Sequence, residues 1–299
     1  MAGRLAEDFE ATGGEKQAEP LIEAIDSVSH LIVLSPHLDD AVLSCGALMN
    51  YARNETCVTA VTFFTEGSAP PYTYSARLYL RQTRNHHADG LFLARQAEDQ
   101  AVLEGAGISY VHVGLTEILF RRRTRPLLHQ LPWVSSLIPE LSYLYPTYRL
   151  HVIRGGISPD DVSTIRQICD TIDHLSAASS TLFLAPLAVG GHKDHMLVRT
   201  AAELSRKQVA YYSDFPYNLR YSVDLSFVQR NSLVQTTWSH DLAAKLPLIR
   251  RYRTQVDALF PGGKIPVVPE VYLLAGPRRS SGGAASDGGE HLNIPSVKE

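Results

Sequence analysis

Five short apolar runs punctuate the chain: HLIVLS (30–35), CVTAVTFFT (57–65), SYVHVGL (109–115), TLFLAPL (181–187) and VAYYSDF (209–215). Each is rich in β-branched and aromatic side chains and reads as a buried strand. The stretches between them carry apolar residues at helical spacing. One is 39–53, with Val42, Leu43, Leu48 and Met49 on a common face. Another is 76–105, interrupted near Gly90. A third, 159–175, opens behind Ser158, a good N-cap. The last is 195–207, after a GGHKD turn. Strands alternating with helices predict an α/β fold, a mostly parallel sheet with helices on both faces. Ligands of such sheets bind beyond the carboxyl ends of the strands. The loops after Ser35, Thr65, Leu115 and Leu187 are therefore where chemistry is expected.

The two ends differ from this middle. Residues 1–20 are polar and acidic and read as a flexible tail, and 278–299 are Gly- and Ser-rich and read as disordered. Between them, 21–277 reads as one domain. The stretch 116–157, with several aromatics and a basic run at 121–123, breaks the rhythm as an insertion or lid. Residues 226–276 supply a strand (SLVQTTW), an amphipathic helix at 241–259 and a last strand (EVYLLAG). A net charge of −3 gives no broad attraction for nucleic acid. No apolar run approaches the ~18 residues of a membrane span. The start lacks the basic and apolar regions of a signal peptide, so a cytoplasmic location is expected. The three cysteines form no CxxC pair, which argues against a thiolate metal site.

Two clusters fall on the expected active edge. Ser35-Pro36-His37-Leu38-Asp39-Asp40 follows the first strand and opens the first helix. His37 and Asp40, three apart, can converge on one point, and neutral imidazole with carboxylate suits Zn²⁺. The same hexapeptide also suits plain helix capping by Asp39 or Asp40. Gly190-Gly191-His192-Lys193-Asp194-His195 follows the fourth strand, its glycines permitting a tight turn before a helix. A catalytic zinc commonly takes three protein ligands and leaves one position open. His37, Asp40 and His195 fill that role, leaving Asp194 and His192 for support and transition-state work.

SPHLDDAVLSCG and GGHKDH resemble the two signature motifs of the PIG-L / LmbE-like deacetylases, (A/S)-H-P-D-D-E and H-P-D-H. The resemblance runs over about residues 30–275 and is sharp only at the motifs. It implies a Rossmann-like enzyme holding one Zn²⁺ per chain on His37, Asp40 and His195. It implies Asp39 as general base, His192 as the group that stabilises the oxyanion, and Asp194 as the residue that orients His192. Arg95-Gln-Ala-Glu98, with Gly105 and VHVGLTE behind it, resembles the family's Arg-x-x-Glu helix and next strand. Lys245…Tyr252-Arg-Thr-Gln255 resembles its late Lys…Tyr-x-Ser-Gln helix. Leu38 replaces the usual Pro, a change expected to loosen the turn, and Ala41 replaces the usual Glu, leaving one carboxylate fewer.

The expected reaction is N-deacetylation of an N-acetylated amino-sugar-like small molecule. Asp39 takes the proton of the attacking water and returns one to the leaving amine, while His192, as an imidazolium, faces the carbonyl oxygen. Arg95, Glu98 and Glu66 are candidate substrate contacts, Glu66 together with the PPYTY segment after the second strand. Arg121 with its two neighbours is a candidate anion grip, and Trp133 and Trp238 are candidate stacking platforms. An amidase on a thiol-cofactor conjugate or an antibiotic precursor fits the same motifs. A two-metal phosphoesterase would need a second His-Asp cluster, which Asp160, Asp161 and Asp214 do not form. A binding protein on the same fold would have no use for an intact Asp39. No G-x-G-x-x-G follows the first strand, which disfavours a dinucleotide enzyme.

Overall fold

A computed structural model describes residues 14–123, 137–147, 157–176 and 180–276. Seven strands form one sheet: β1 (His30–Ser35), β2 (Cys57–Glu66), β3 (Ser109–Thr116), β4 (Thr181–Pro186), β5 (Val209–Tyr212), β6 (Leu233–Trp238) and β7 (Glu270–Ala275), in the order β3-β2-β1-β4-β5-β7-β6. β1 to β5 are parallel. β7 runs antiparallel to both β5 and β6. The apolar middle of the sheet follows from its sequence. β1 and β4 are buried along almost their whole length, whereas the edge strand β6 alternates with exposed positions.

Nine helices accompany the strands among the described residues: α1 (Gly14–Asp26), α2 (Asp40–Ala52), α3 (Tyr74–Gln82), α4 (Ala88–Gly105), α5 (Val162–Leu175), α6 (Lys193–Ser205), α7 (Leu225–Arg230), α8 (Lys245–Ile249) and α9 (Val256–Leu259). The two-residue period of β1 sorts them into layers. Leu31 and Val33 point into a core with α1, α2, Trp238 and Tyr252. Ile32 and Leu34 point into the opposite core, with Ile168 and Ile172 of α5 and Leu197 and Val198 of α6. A third cluster joins Leu38 to Ala76 and Leu80 of α3, Phe92 of α4, Ile118–Phe120, and Leu144 and Tyr145.

Three expectations are corrected. Residues 14–20 belong to α1 rather than to a tail, and Ala18 is fully buried. The break in 76–105 falls at 83–87, not at Gly90. There Arg84 turns left-handed at φ 57°, and the N–H groups of Asn85 and Arg84 bond back to Leu80 and Arg81 at 2.8 and 3.0 Å, a Schellman ending. The helix expected at 241–259 is cut into the short α8 and α9. Between them Tyr252 and Gln255 turn inward to Asp99 and the Leu38 carbonyl.

A buried ion pair ties the last strand to α2. Glu270 of β7 accepts from the backbone N–H groups of Ala47 and Leu48 inside α2, at 2.9 and 3.0 Å. Lys245 Nζ bonds the Leu43 carbonyl at 2.9 Å and Glu270 at 3.0 Å. Gly46 permits this approach, since a Cβ there would stand 2.8 Å from the Lys245 Cβ.

Candidate metal centre and active-site cavity

Strand order decides where the two motifs meet. From β1 the chain builds outward through β2 to β3, then returns to lay β4 against the other side of β1. The loops after β1 and β4 therefore leave the sheet side by side at its switch point. After β1, the Ser35 hydroxyl bonds the His37 carbonyl at 2.7 Å and accepts the Ala41 N–H at 3.1 Å. Gln255 Nε2 donates to the Leu38 carbonyl at 2.6 Å. The turn without the family's proline is thus held from outside, and Leu38 itself is buried in the third cluster. After β4, Gly190 and Gly191 adopt φ 85° and 73° to bring His192 and α6 back over the sheet edge.

Three acceptor atoms converge here. His37 Nδ1 and Asp40 Oδ2 are 3.1 Å apart. His195 Nε2 lies 3.2 Å from Asp40 Oδ2 and 3.3 Å from His37 Nδ1. The outer nitrogen of each ring is already taken. His37 Nε2 donates to Asp194 Oδ2 at 3.1 Å, and His195 Nδ1 donates to Asp214 Oδ1 at 2.6 Å. Neutral rings so held turn two lone pairs toward a carboxylate oxygen, an arrangement only a cation relieves. Without one, protons fill the role. Burial opposes the charge on His195, but Asp40 and Asp214 outweigh it and push the ring up to about 9. Burial opposes the charge on His37 too, and Asp194 and Asp40 raise it well above its usual value. Ligands about 2.0–2.1 Å from a tetrahedral zinc stand about 3.3 Å apart, so the donor set fits that ion. One nitrogen each from His37, His192 and His195 also lie within 4.8 Å of one another, a candidate metal site.

Each imidazole has a pinned carboxylate behind it. Asp194 is fully buried; its Oδ2 also accepts the Ile118 N–H at 3.0 Å, and its Oδ1 is paired with Arg121. Asp214 Oδ2 accepts the Val189 N–H at 2.8 Å. Asp194, expected to orient His192, is hydrogen-bonded to His37. Burial, then the positive His37 and His195, push the His192 ring well below its ordinary value. Asp214 is the support that motif reading missed. Its signal was its place at the end of the fifth apolar run, on the active edge.

The cluster lies at the floor of a cavity of about 620 Å³. Asp39 lines that floor beside His37 and Asp40. Burial and the neighbouring Asp40 charge push its carboxyl up to about 7, against the pull of Arg95 and His37. Arg95 and Glu117 line one side, and both are nearly inaccessible to solvent. They stand 3.9 Å apart, and Arg95 Nε and Glu117 Oε2 have no hydrogen-bond partner. Tyr74, Leu78, Leu119, Ala258 and Leu259 also line the cavity, alongside polar Ser75, Gln82, Thr83 and Thr147.

Several expected contacts lie elsewhere. Glu98 does not line the cavity, because its carboxylate accepts the Thr254 N–H at 3.2 Å and hydroxyl at 2.7 Å and so braces the segment that carries Gln255. Glu66 has an exposed side chain; its carbonyl, bonded to the Glu117 N–H at 2.9 Å, sets the turn that presents Glu117. Arg121 is no anion grip, since its guanidinium is buried against Asp194, Asp161 and the Thr116 carbonyl. Trp238 is fully buried in the core. Trp133 lies outside the described residues. Ala41, where the family has Glu, packs in the core with its N–H satisfied by Ser35.

Fold and site together define a metal-dependent hydrolase of the Rossmann-like α/β kind. The model of the PIG-L family, GlcNAc-PI de-N-acetylase, matches residues 32–204, more than half of the chain. The chain belongs to that family and is a deacetylase, hydrolysing a non-peptide C–N bond. Its fold is similar to the zinc-inhibited form of teicoplanin deacetylase Orf2, with a TM-score of 0.65 at 20% identity over 84% of this chain and 100% of that one. It is also similar to a deacetylase–teicoplanin complex (TM-score 0.61, 22% identity, 82% and 97% covered). The A40926 pseudoaglycone deacetylase Dbv21 gives a TM-score of 0.59 at 22% identity, with 82% and 96% covered. No curated protein matches the sequence. No helix among the described residues is long and apolar enough to cross a membrane.

Proposed function

We propose that this chain is a zinc-dependent N-deacetylase of an N-acetylated amino-sugar-like small molecule. The observation that carries this reading is the convergence of His37 Nδ1, Asp40 Oδ2 and His195 Nε2 within 3.1–3.3 Å, beside a buried Asp39, at the floor of an open cavity. His37, Asp40 and His195 hold one zinc. When bound, zinc supplies Lewis acidity to the amide carbonyl and lowers the pKa of the attacking water. Asp39, with its carboxyl near neutral pKa, accepts the water's proton and then delivers one to the leaving amine. His192 donates an N–H to the developing oxyanion. Arg95 and Glu117, which line the cavity, supply a donor and an acceptor for substrate hydroxyls.

A second reading has its own support. Tyr74, Leu78 and Leu259 line the cavity, the first two exposed to solvent, and suit a sugar joined to a large apolar aglycone, as in an antibiotic precursor. Elemental analysis of wild type and His195→Ala tests the metal site, with one zinc per wild-type chain and none in the variant expected. Amine release is then measured from N-acetylglucosamine and from N-acetylglucosamine bearing an aryl aglycone. Turnover of both, with lower KM for the aryl compound, supports the second reading within the first. Absence of zinc from the wild type, even after zinc is added, overturns both.

A further inference from the structure

The two imidazoles of the metal cluster are supported alike, with one difference. Behind His195, Asp214 is held by a backbone N–H alone. Behind His37, Asp194 is held by the Ile118 N–H and by the guanidinium of Arg121. Arg121 is itself immobilised. Its Nε and Nη2 donate to the Thr116 carbonyl at 3.1 and 3.0 Å, and Nη1 donates to Asp161 Oδ1 at 3.0 Å. Its face lies over the Phe64 ring, 4.7 Å from the centroid. Asp161 is fully buried just before α5, and its other oxygen accepts the Tyr145 hydroxyl at 2.5 Å. A line of contacts therefore runs from Tyr145 through Asp161, Arg121 and Asp194 to His37 Nε2.

The direction of each bond gives this line a purpose. Asp194 spends Oδ2 on His37 and on Ile118, and Oδ1 on Arg121, so its plane is fixed at three points. A carboxylate so fixed holds the His37 ring at one rotation and keeps the Nε2 proton outward, leaving Nδ1 for the cluster. Such outer partners typically contribute 10–100-fold to metal affinity. Two carboxylates, Asp161 and Asp194, flank a single guanidinium. A planar fork serves both in a fixed geometry, which a compact ammonium on a flexible stem does not fix.

We propose that Arg121, held by Asp161, is a positioning residue for the metal ligand His37. This rests on the metal reading of the site given above. The test uses the full chain. Zinc affinity is measured by chelator competition, the visible spectrum is recorded after cobalt substitution, and the metal-free protein is melted separately to report folding alone. Arg121→Gln is expected to bind zinc 10–100-fold more weakly and to alter the cobalt bands. Arg121→Lys keeps the charge and is expected to lose roughly ten-fold through loss of the fork. Asp161→Asn is expected to weaken binding less, and the double variant Arg121→Gln, Asp161→Asn to bind no more weakly than Arg121→Gln, because Asp161 acts through Arg121. Should Arg121→Gln fail to fold, Arg121→Lys and Tyr145→Phe decide the question, both expected to weaken zinc binding. Zinc affinity and cobalt bands unchanged in the folded variants, with only the metal-free melting lowered, overturn the positioning role. A wild type that binds no zinc overturns the metal reading itself, and the role of Arg121 with it.

Discussion

Replacing Glu270 with glutamine removes the charge around which the join of α2 to β7 is built. The carboxylate accepts four donors: the Ala47 and Leu48 N–H groups, Lys245 Nζ and the Tyr272 hydroxyl, at 2.9–3.0 Å. A carboxamide of the same shape offers one acceptor oxygen and one NH₂. The Tyr272 hydroxyl can rotate to accept from the NH₂, but the Leu48 N–H cannot, and an unsatisfied buried N–H costs about 1–3 kcal/mol. The larger effect is on Lys245, which is 1% exposed and left without its counter-charge. Breaking one partner of a buried pair typically costs about 3–5 kcal/mol. That term dominates, so a loss of about 3–5 kcal/mol is expected, or roughly 6–20 °C in Tm for a domain of this size. Urea unfolding followed by circular dichroism measures it. Lys245→Met should fall in the same range, and the double variant should lose clearly less than the sum, since it leaves no uncompensated charge. A Glu270→Gln loss below about 1 kcal/mol at unchanged m-value would refute the reasoning, because neither term would then be operating.

Asp39→Asn should retain zinc by elemental analysis while kcat falls roughly 10²–10⁴-fold; loss of zinc with activity would remove Asp39 from the role of base. Asp214→Asn, which weakens the hold on His195 Nδ1, should lower zinc affinity about 10–100-fold by chelator competition. Glu117→Gln and Arg95→Met should each raise KM for an N-acetyl sugar more than they lower kcat, and an unchanged KM would rule the pair out as a hydroxyl subsite. Gly46→Ala places a methyl 2.8 Å from the Lys245 Cβ, where both chains are rigid, and should destabilise by about 1–3 kcal/mol in the same urea assay.

The site was legible in the sequence where chemistry and punctuation coincide. His37, Asp39 and Asp40 stand at a strand-to-helix junction, and His192, Asp194 and His195 follow paired glycines. Neither position suits such polar residues unless they act on something. The parallel order of β1 to β5 followed from the apolar runs for the same reason. Partnerships across the fold were not legible. That Asp194 turns to His37 rather than to His192 depends on Arg121 arriving from beyond β3. That Glu98 braces Thr254 depends on contacts 156 residues apart. Spacing within a motif constrains only neighbours along the chain. Nothing in RRRTR sets Arg121 apart from its two neighbours, yet of Arg121, Arg122 and Arg123 the fold buries only the first.

His37 and His195, whose ring nitrogens stand 3.3 Å apart, lie 158 residues apart in sequence. Asp214, behind His195, comes later still. The first 150 residues of the sequence carry His37 and Asp40 but neither the second imidazole nor β4, which precedes it. The two imidazoles meet only where β4 pairs beside β1, so the cluster rests on a contact that closes most of the sheet between its halves.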